Sequence, residues 1–158
     1  MTNVSWRRGD YEIDTDPARI DIDATHDFLT NEAYWSKGVP RGIVERAIAN
    51  SINFGIYKLR GEGMGQAGDV QVGFARVVSD KATFAWVCDV FVLPEHRGAG
   101  LGKWLMECMA LHPELQGLRR WLLATRDAHG LYKQYGYKDL EDPTRFLIRR
   151  EIQSYERA

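Results

Sequence analysis

The stretch Arg97-Gly-Ala-Gly-Leu-Gly-Lys103 places three glycines in five positions between two cations. A β-branched run, VFVLP, precedes it and an amphipathic run, LGKWLMECM, follows. Glycine inside regular structure costs roughly 0.5–1 kcal/mol relative to alanine, so three at one junction ask for a reason. If a strand ends at Leu93-Pro94 and a helix begins within the glycines, the free N–H groups of that helix terminus point into the junction, with the positive end of the dipole behind them. Glycines let a backbone approach a bulky anion closely, and Arg97 and Lys103 add charge. The chemistry such a loop can do is to hold a phosphate. A tight strand-to-helix turn would account for one or two glycines, but not for three alternating ones flanked by Arg and Lys. Two phosphate motifs fail on the residues themselves. The dinucleotide fingerprint G-x-G-x-x-G has Lys103 where its third glycine belongs. The triphosphate loop G-x-x-x-x-G-K-[ST] has Arg97 for its first glycine and Trp104 for the Ser/Thr that would ligate magnesium.

The elements that must position this loop follow from periodicity. Tyr11–Thr15 is expected as a strand, and Ile22–Leu29 and Arg41–Asn50 as short helices, the second starting after Pro40. Ile52–Leu59 and Val70–Val78 are rich in β-formers and flank GEGMGQAGD, a glycine-rich hairpin connection. Thr83–Val92 is the strongest strand pattern in the chain. Leu101, Trp104, Leu105, Cys108 and Met109 follow helical spacing, predicting a helix over 100–111. A short buried strand at Trp121–Ala124, a helix at Ala128–Tyr135 ended by Gly136, and a last strand at Arg145–Ile152 complete the reading. The order β-α-α-β-β-β-α-β-α-β predicts a mixed α/β fold with helices on both faces of a mixed, mostly antiparallel sheet. Its β-α-β segment supplies parallel strands whose C-terminal ends make a natural ligand crevice.

With 158 residues, 44% hydrophobic and 27% charged, and without repeats or linkers, the chain reads as one soluble domain over 1–158. A formal net charge of -1 gives no electrostatic argument for nucleic acid or an anionic membrane surface. No apolar stretch is long enough to span a bilayer. The start, MTNVSWRRGDYEIDTD, lacks the apolar core of a signal peptide. Reduced Cys88 and Cys108 in a cytoplasmic protein are the expectation. Four scattered histidines and two distant cysteines match no ligand spacing, so no metal is expected.

The spacing Arg97-x-x-Gly100-x-Gly102 resembles the R/Q-x-x-G-x-G/A signature of the GNAT superfamily of acyl-CoA-dependent N-acyltransferases. DVFVLPEHRGAGLGKWLM is similar to that family's fourth strand, loop and third helix. LLATRDAHGLYKQYGY resembles its fifth strand and fourth helix, with the ending A-x-x-x-Y-x-x-x-G-F carried by Ala128, Tyr132, Gly136 and Tyr137. The two segments lie in the C-terminal half, and the element order is also the one the family uses. The resemblance implies acetyl-CoA as co-substrate, without a metal. Two parallel strands, here Thr83–Val92 and Trp121–Ala124, splay apart, and the pantetheine arm enters between them along the backbone of Phe91 and Val92. The pyrophosphate would lie on the amides of Arg97, Gly98, Ala99, Gly100, Leu101, Gly102 and Lys103. Thr125 stands where many members carry an asparagine that helps hold CoA, and Ala128 opens the helix beside it. Tyr132 matches the tyrosine that serves as general acid toward the CoA thiolate, its alternative being packing or a hydrogen bond to CoA.

Asp89 follows Cys88 where several members have two acidic residues. It would order the acceptor ammonium or take its proton, against a structural hydrogen-bonding role. Cys88 has no base near it in sequence and reads as a small buried hydrophobe. The family's acceptor positions fall here on Tyr34, Trp35 and Trp86, an aromatic wall for an amine or its apolar stem, or else anchors of their loop. His26 and His129 are weaker candidates, read as surface or packing residues. The implied activity is transfer of an acetyl group to a primary amine of a small molecule or a peptide. The alternative is a non-catalytic acyl-CoA-binding sensor. The alternating strand RFLIRREIQ leaves a homodimer, formed by pairing across a two-fold axis, as open as a bare sheet edge.

Overall fold

The computed structural model describes residues 2–61 and 68–156. Its six strands lie side by side in sequence order: β1 (Ser5–Arg8), β2 (Tyr11–Asp14), β3 (Ile52–Lys58), β4 (Val70–Ser79), β5 (Phe84–Val92) and β6 (Arg120–Leu123). Every neighbouring pair is antiparallel except β5 and β6, which are parallel. A parallel pair needs a crossover, and α3 (Leu101–Leu111) supplies it. The other helices are α1 (Ile22–Asn31), α2 (Arg41–Ala49) and the short α4 (His129–Lys133). No helix among the described residues is long and apolar enough to cross a membrane.

The helical period of α3 buries Leu101, Trp104, Leu105, Cys108 and Met109 along one stripe. That stripe packs on Ile13, Phe54, Ile56, Val77 and Val87 of the sheet, with Tyr132 of α4 closing the same core. On the opposite face Phe28 and Leu29 of α1 and Val44 and Ile48 of α2 cover Phe74 and Phe91. Phe28 lies nearly parallel to Phe91, with ring centroids 4.0 Å apart.

The site depends on an irregularity in β5. Its register against β4 steps from Arg76↔Cys88 to Phe74↔Phe91, so Asp89 and Val90 together oppose Ala75. Asp89 takes φ 54°, a left-handed conformation that costs most non-glycine residues roughly 1–2 kcal/mol and aspartate less than most. The extra residue switches the strand's parity. Ala85 and Val87 face α3 before the bulge and Val90 and Val92 after it, while Phe91 turns to the α1–α2 core. Pairing with β6 covers only Phe84–Val87 against Arg120–Leu123. From Cys88 to Val92 that side of β5 has no strand partner among the described residues, and the two parallel strands splay apart.

The structure adds one strand, removes another and leaves most of one expected connection outside the described residues. Ser5–Arg8 is a strand that the periodic reading missed. It joins β2 through the two-residue turn Gly9-Asp10, with Gly9 at φ 55°, a hairpin geometry that favours glycine first. The expected strand at Arg145–Ile152 is not one: Pro143–Arg145 forms a short 3-10 turn and no strand follows it among the described residues. Its alternation breaks at Arg149-Arg150-Glu151, and Leu147 is 99% exposed, so the pattern provides no buried face to hold it on the edge of β6. The chain instead runs on until Tyr155 packs beside Gly38. Most of the hairpin connection GEGMGQAGD lies outside the described residues.

Candidate active site

The glycine loop after β5 turns through Gly98 at φ 87° and Gly100 at φ 75°, and Gly100 caps α3. The first helical bond runs from the Trp104 N–H to the Gly100 carbonyl. The N–H groups from Gly98 to Lys103 have no acceptor among the described residues, and all of these residues but Ala99 line one wall of a groove. A Cβ built on Gly102 would meet only Leu131 Cδ2, at 3.9 Å. The chain's own packing thus does not demand glycine at 102, whereas a ligand lying on the backbone would.

That groove, about 750 Å³, is lined by Phe91, Val92, Arg97, Gly98, Gly100, Leu101, Gly102 and Lys103 on one side and by Ala128 and Tyr132 on the other. Ala99 does not line it. The Arg97 side chain folds back, its Nε donating to the Val92 carbonyl at 2.9 Å. A second cavity of about 260 Å³ opens between the bulge of β5 and the loop after β6. The two spaces share Tyr34, Trp35, Val90, Asp127, Ala128 and Tyr132. Tyr132, 9% exposed, stands at their junction, its ring edge-on to Tyr137 at 5.8 Å. Burial raises the pKa of its phenol, with smaller contributions from Tyr34 and the charge on Asp127. The group therefore holds its proton at neutral pH.

The second cavity is walled by Tyr34, Trp35 and Trp86, and Asp89 and Cys88 line it as well. Trp35 Nε1 donates to one Asp89 oxygen at 3.0 Å, and Arg76 Nε donates to the other at 2.9 Å. Arg76 also donates to Ser51 Oγ at 3.1 Å. The Arg126 N–H donates to Tyr34 Oη at 3.0 Å while its guanidinium stacks 3.8 Å over the Tyr34 ring. The α1–α2 loop is thereby tied to β5 at one point and to the β6–α4 loop at another. Burial pushes the Cys88 thiol up to about 11, so it is neutral and carries no nucleophile.

The expected acceptor residues Tyr34, Trp35, Trp86 and Asp89 therefore meet in one cavity. Thr125 lies in that cavity too, not in the groove, and its Oγ1 accepts from the Ala128 N–H at 3.0 Å at the start of α4. His26 donates from Nε2 to the Val39 carbonyl at 2.9 Å, away from the site. His129 lines a third space beside the tail, which shares Trp86, Thr125 and Tyr132 with the acceptor cavity. Arg76, Arg126 and Asp127 escaped the periodic reading. A lone arginine inside VGFARVV was the available signal for the first, because a charge in an apolar strand needs a partner. No pattern marked the other two.

Residues 62–139 match the family model for the acetyltransferase (GNAT) domain. A Gibberella zeae protein named as a candidate acetyltransferase is 37% identical over 160 aligned residues, covering 90% of this chain and 89% of its own length. The crystal structure of a GNAT-family protein from Xanthomonas campestris pv. campestris, described as a candidate acetyltransferase, superposes with a TM-score of 0.81 at 44% identity, over 91% of this chain and 95% of that one. A Staphylococcus aureus protein at 19% identity shares the fold, with a TM-score of 0.66 over 90% of this chain and 99% of that one.

Proposed function

The chain belongs to the GNAT acetyltransferase family, whose members take an acyl group from acyl-CoA, and on that premise we propose that it is an N-acetyltransferase acting on a primary amine with acetyl-CoA as donor. One observation carries this reading: the unpaired flank of β5 from Cys88 to Val92 runs beside the free N–H groups of Gly98 to Lys103, and the groove they form meets a second cavity at Tyr132. The N–H row would hold the pyrophosphate, with Lys103 adding charge. The backbone of Phe91 and Val92 would pair with the pantetheine amides in the space that β6 leaves. The Val92 carbonyl already accepts from Arg97, and its second lone pair serves a second donor.

In the reaction the ammonium first gives a proton to solvent, the neutral amine nitrogen bonds to the thioester carbonyl carbon, the carbon–sulfur bond breaks as Tyr132 gives its proton to the departing sulfur, and the second proton the nitrogen sheds restores the phenol. Asp89, paired with Arg76, is a positioning residue: it holds Trp35 against the acceptor cavity. Tyr34, Trp35 and Trp86 enclose the amine.

Calorimetric titration with acetyl-CoA, with NADH and ATP as controls, tests the donor. Thiol release with a panel of amines, run on wild type and Tyr132→Phe, tests the chemistry. Expected are micromolar acetyl-CoA binding by both proteins and a turnover about 10²–10⁴-fold lower in the variant, the range of a lost general acid. Absence of acetyl-CoA binding by a folded sample overturns the donor assignment. Unchanged turnover in Tyr132→Phe removes its role as acid.

A further inference from the structure

We propose that the acceptor is a cationic amine on an apolar or aromatic stem with no acidic group beside the nitrogen, and that Asp127 selects it. The inference rests on the N-acetyltransferase reading above and adds the substrate class to it. The charges at the acceptor cavity can be counted. Asp89 is neutralised by Arg76, and the Cys88 thiol is neutral. Asp127 forms no ion pair among the described residues, and no Lys, Arg or His lines the cavity. Arg126, the neighbouring cation, lies over the Tyr34 ring and is not part of the lining. The cavity therefore presents one uncompensated carboxylate and three aromatic walls. The adjoining groove carries both signs, with His96, Arg97 and Lys103 in its lining beside Glu32 and Asp127.

Position makes the carboxylate selective. Asp127 borders both the groove and the cavity, so it sits where an acceptor nitrogen must approach the thioester. Tyr132 lines the same two spaces, so the carboxylate and the phenol both stand at the junction. An ammonium group is attracted there by the carboxylate and by the aromatic faces. An amine bearing its own carboxylate or phosphate brings a second anion against Asp127 with no cation in the cavity lining to receive it, a like-charge juxtaposition that disfavours it. The Trp35 indole N–H, a side-chain donor that would suit an anion there, is already given to Asp89.

The test is a matched series in the thiol-release assay: phenethylamine, phenylalanine (the same stem with a carboxylate added) and O-phosphoethanolamine. It is run on wild type, Asp127→Asn and Asp127→Arg, with acetyl-CoA binding measured in parallel. In wild type kcat/KM for phenethylamine should exceed that for phenylalanine by about tenfold or more, the ratio given by roughly 1.4 kcal/mol. Asp127→Asn should shrink that ratio several-fold through KM for the amine, with KM for acetyl-CoA unchanged, and Asp127→Arg should turn the preference toward phenylalanine. Asp127 is exposed, so both variants should melt as wild type does. Equal or better use of phenylalanine or O-phosphoethanolamine by wild type, or a ratio untouched in Asp127→Asn, overturns the inference and leaves N-acetyl transfer standing. Binding of acetyl-CoA without transfer to any amine overturns both.

Discussion

Between the Arg76 guanidinium and the Trp35 indole, the Asp89 carboxylate accepts at 2.9 and 3.0 Å on a backbone held at φ 54°. Each partner fixes a different element, β4 and the α1–α2 loop, so the residue joins the acceptor wall to the sheet. Asparagine tolerates the left-handed conformation and keeps one acceptor oxygen. Asp89→Asn should therefore cost only about 1–2 kcal/mol in chemical denaturation and raise KM for the amine several-fold, with kcat largely kept. Arg76→Met should cost more, about 2–3 kcal/mol, because it strands a half-buried carboxylate. A collapse of kcat in Asp89→Asn with KM unchanged would instead make Asp89 the base. Spacing and residue type made Asp89, Tyr34, Trp35 and Trp86 legible as candidates. The bulge that aims Asp89 was not legible, because it adds one residue without any composition of its own.

The junction of β5 with α3 is where element and ligand meet. The glycines there were readable because free N–H groups at a helix start are a local consequence of chain direction. Gly102 lies in the first turn of α3 with open space around it, so a longer side chain fits the fold. A carboxylate in that turn also interacts favourably with the helix dipole. Gly102→Glu should leave the melting temperature unchanged or slightly raised, yet lower acetyl-CoA affinity at least about tenfold by placing a negative charge where the pyrophosphate would rest. Lowered stability together with retained binding would mean that the loop serves the turn alone. Strands at the margins of the sheet were harder to read. β1 is short and rich in arginine, and it exists because the Gly9-Asp10 turn folds it back on β2. The segment 145–152 alternates over only part of its length, and alternation makes a strand only where an edge buries one of its faces.

At the scale of the molecule, the sheet separates two cores, and the α3 side contains a titratable group the reaction does not use. His112 follows α3 with its side chain 0% exposed, its ring 5.7 Å from Phe54. Nδ1 accepts the Glu114 N–H at 3.1 Å, so the neutral ring carries its proton on Nε2. Burial lowers its pKa below the ordinary 6.5, opposed by Glu114 and assisted by Lys81, which pair with each other at 3.2 Å. Protonation would also turn Nδ1 from acceptor into donor, facing an N–H. A folded-state pKa below the unfolded value means that the stability His112 contributes is fully present above pH 6.5. It is lost as the pH falls from there through the folded pKa, at no more than about 1.4 kcal/mol per pH unit. Urea unfolding at pH 7.5 and 5.5 should show this loss in wild type. His112→Asn keeps a side-chain acceptor for the Glu114 N–H and cannot titrate, so it should be less stable at pH 7.5 and show a flatter dependence below 6.5. Parallel slopes in the two proteins would assign the acid sensitivity to other groups. Because the ring packs between sheet and helix, its loss registers as global unfolding, with no change in acetyl-CoA affinity while the protein remains folded.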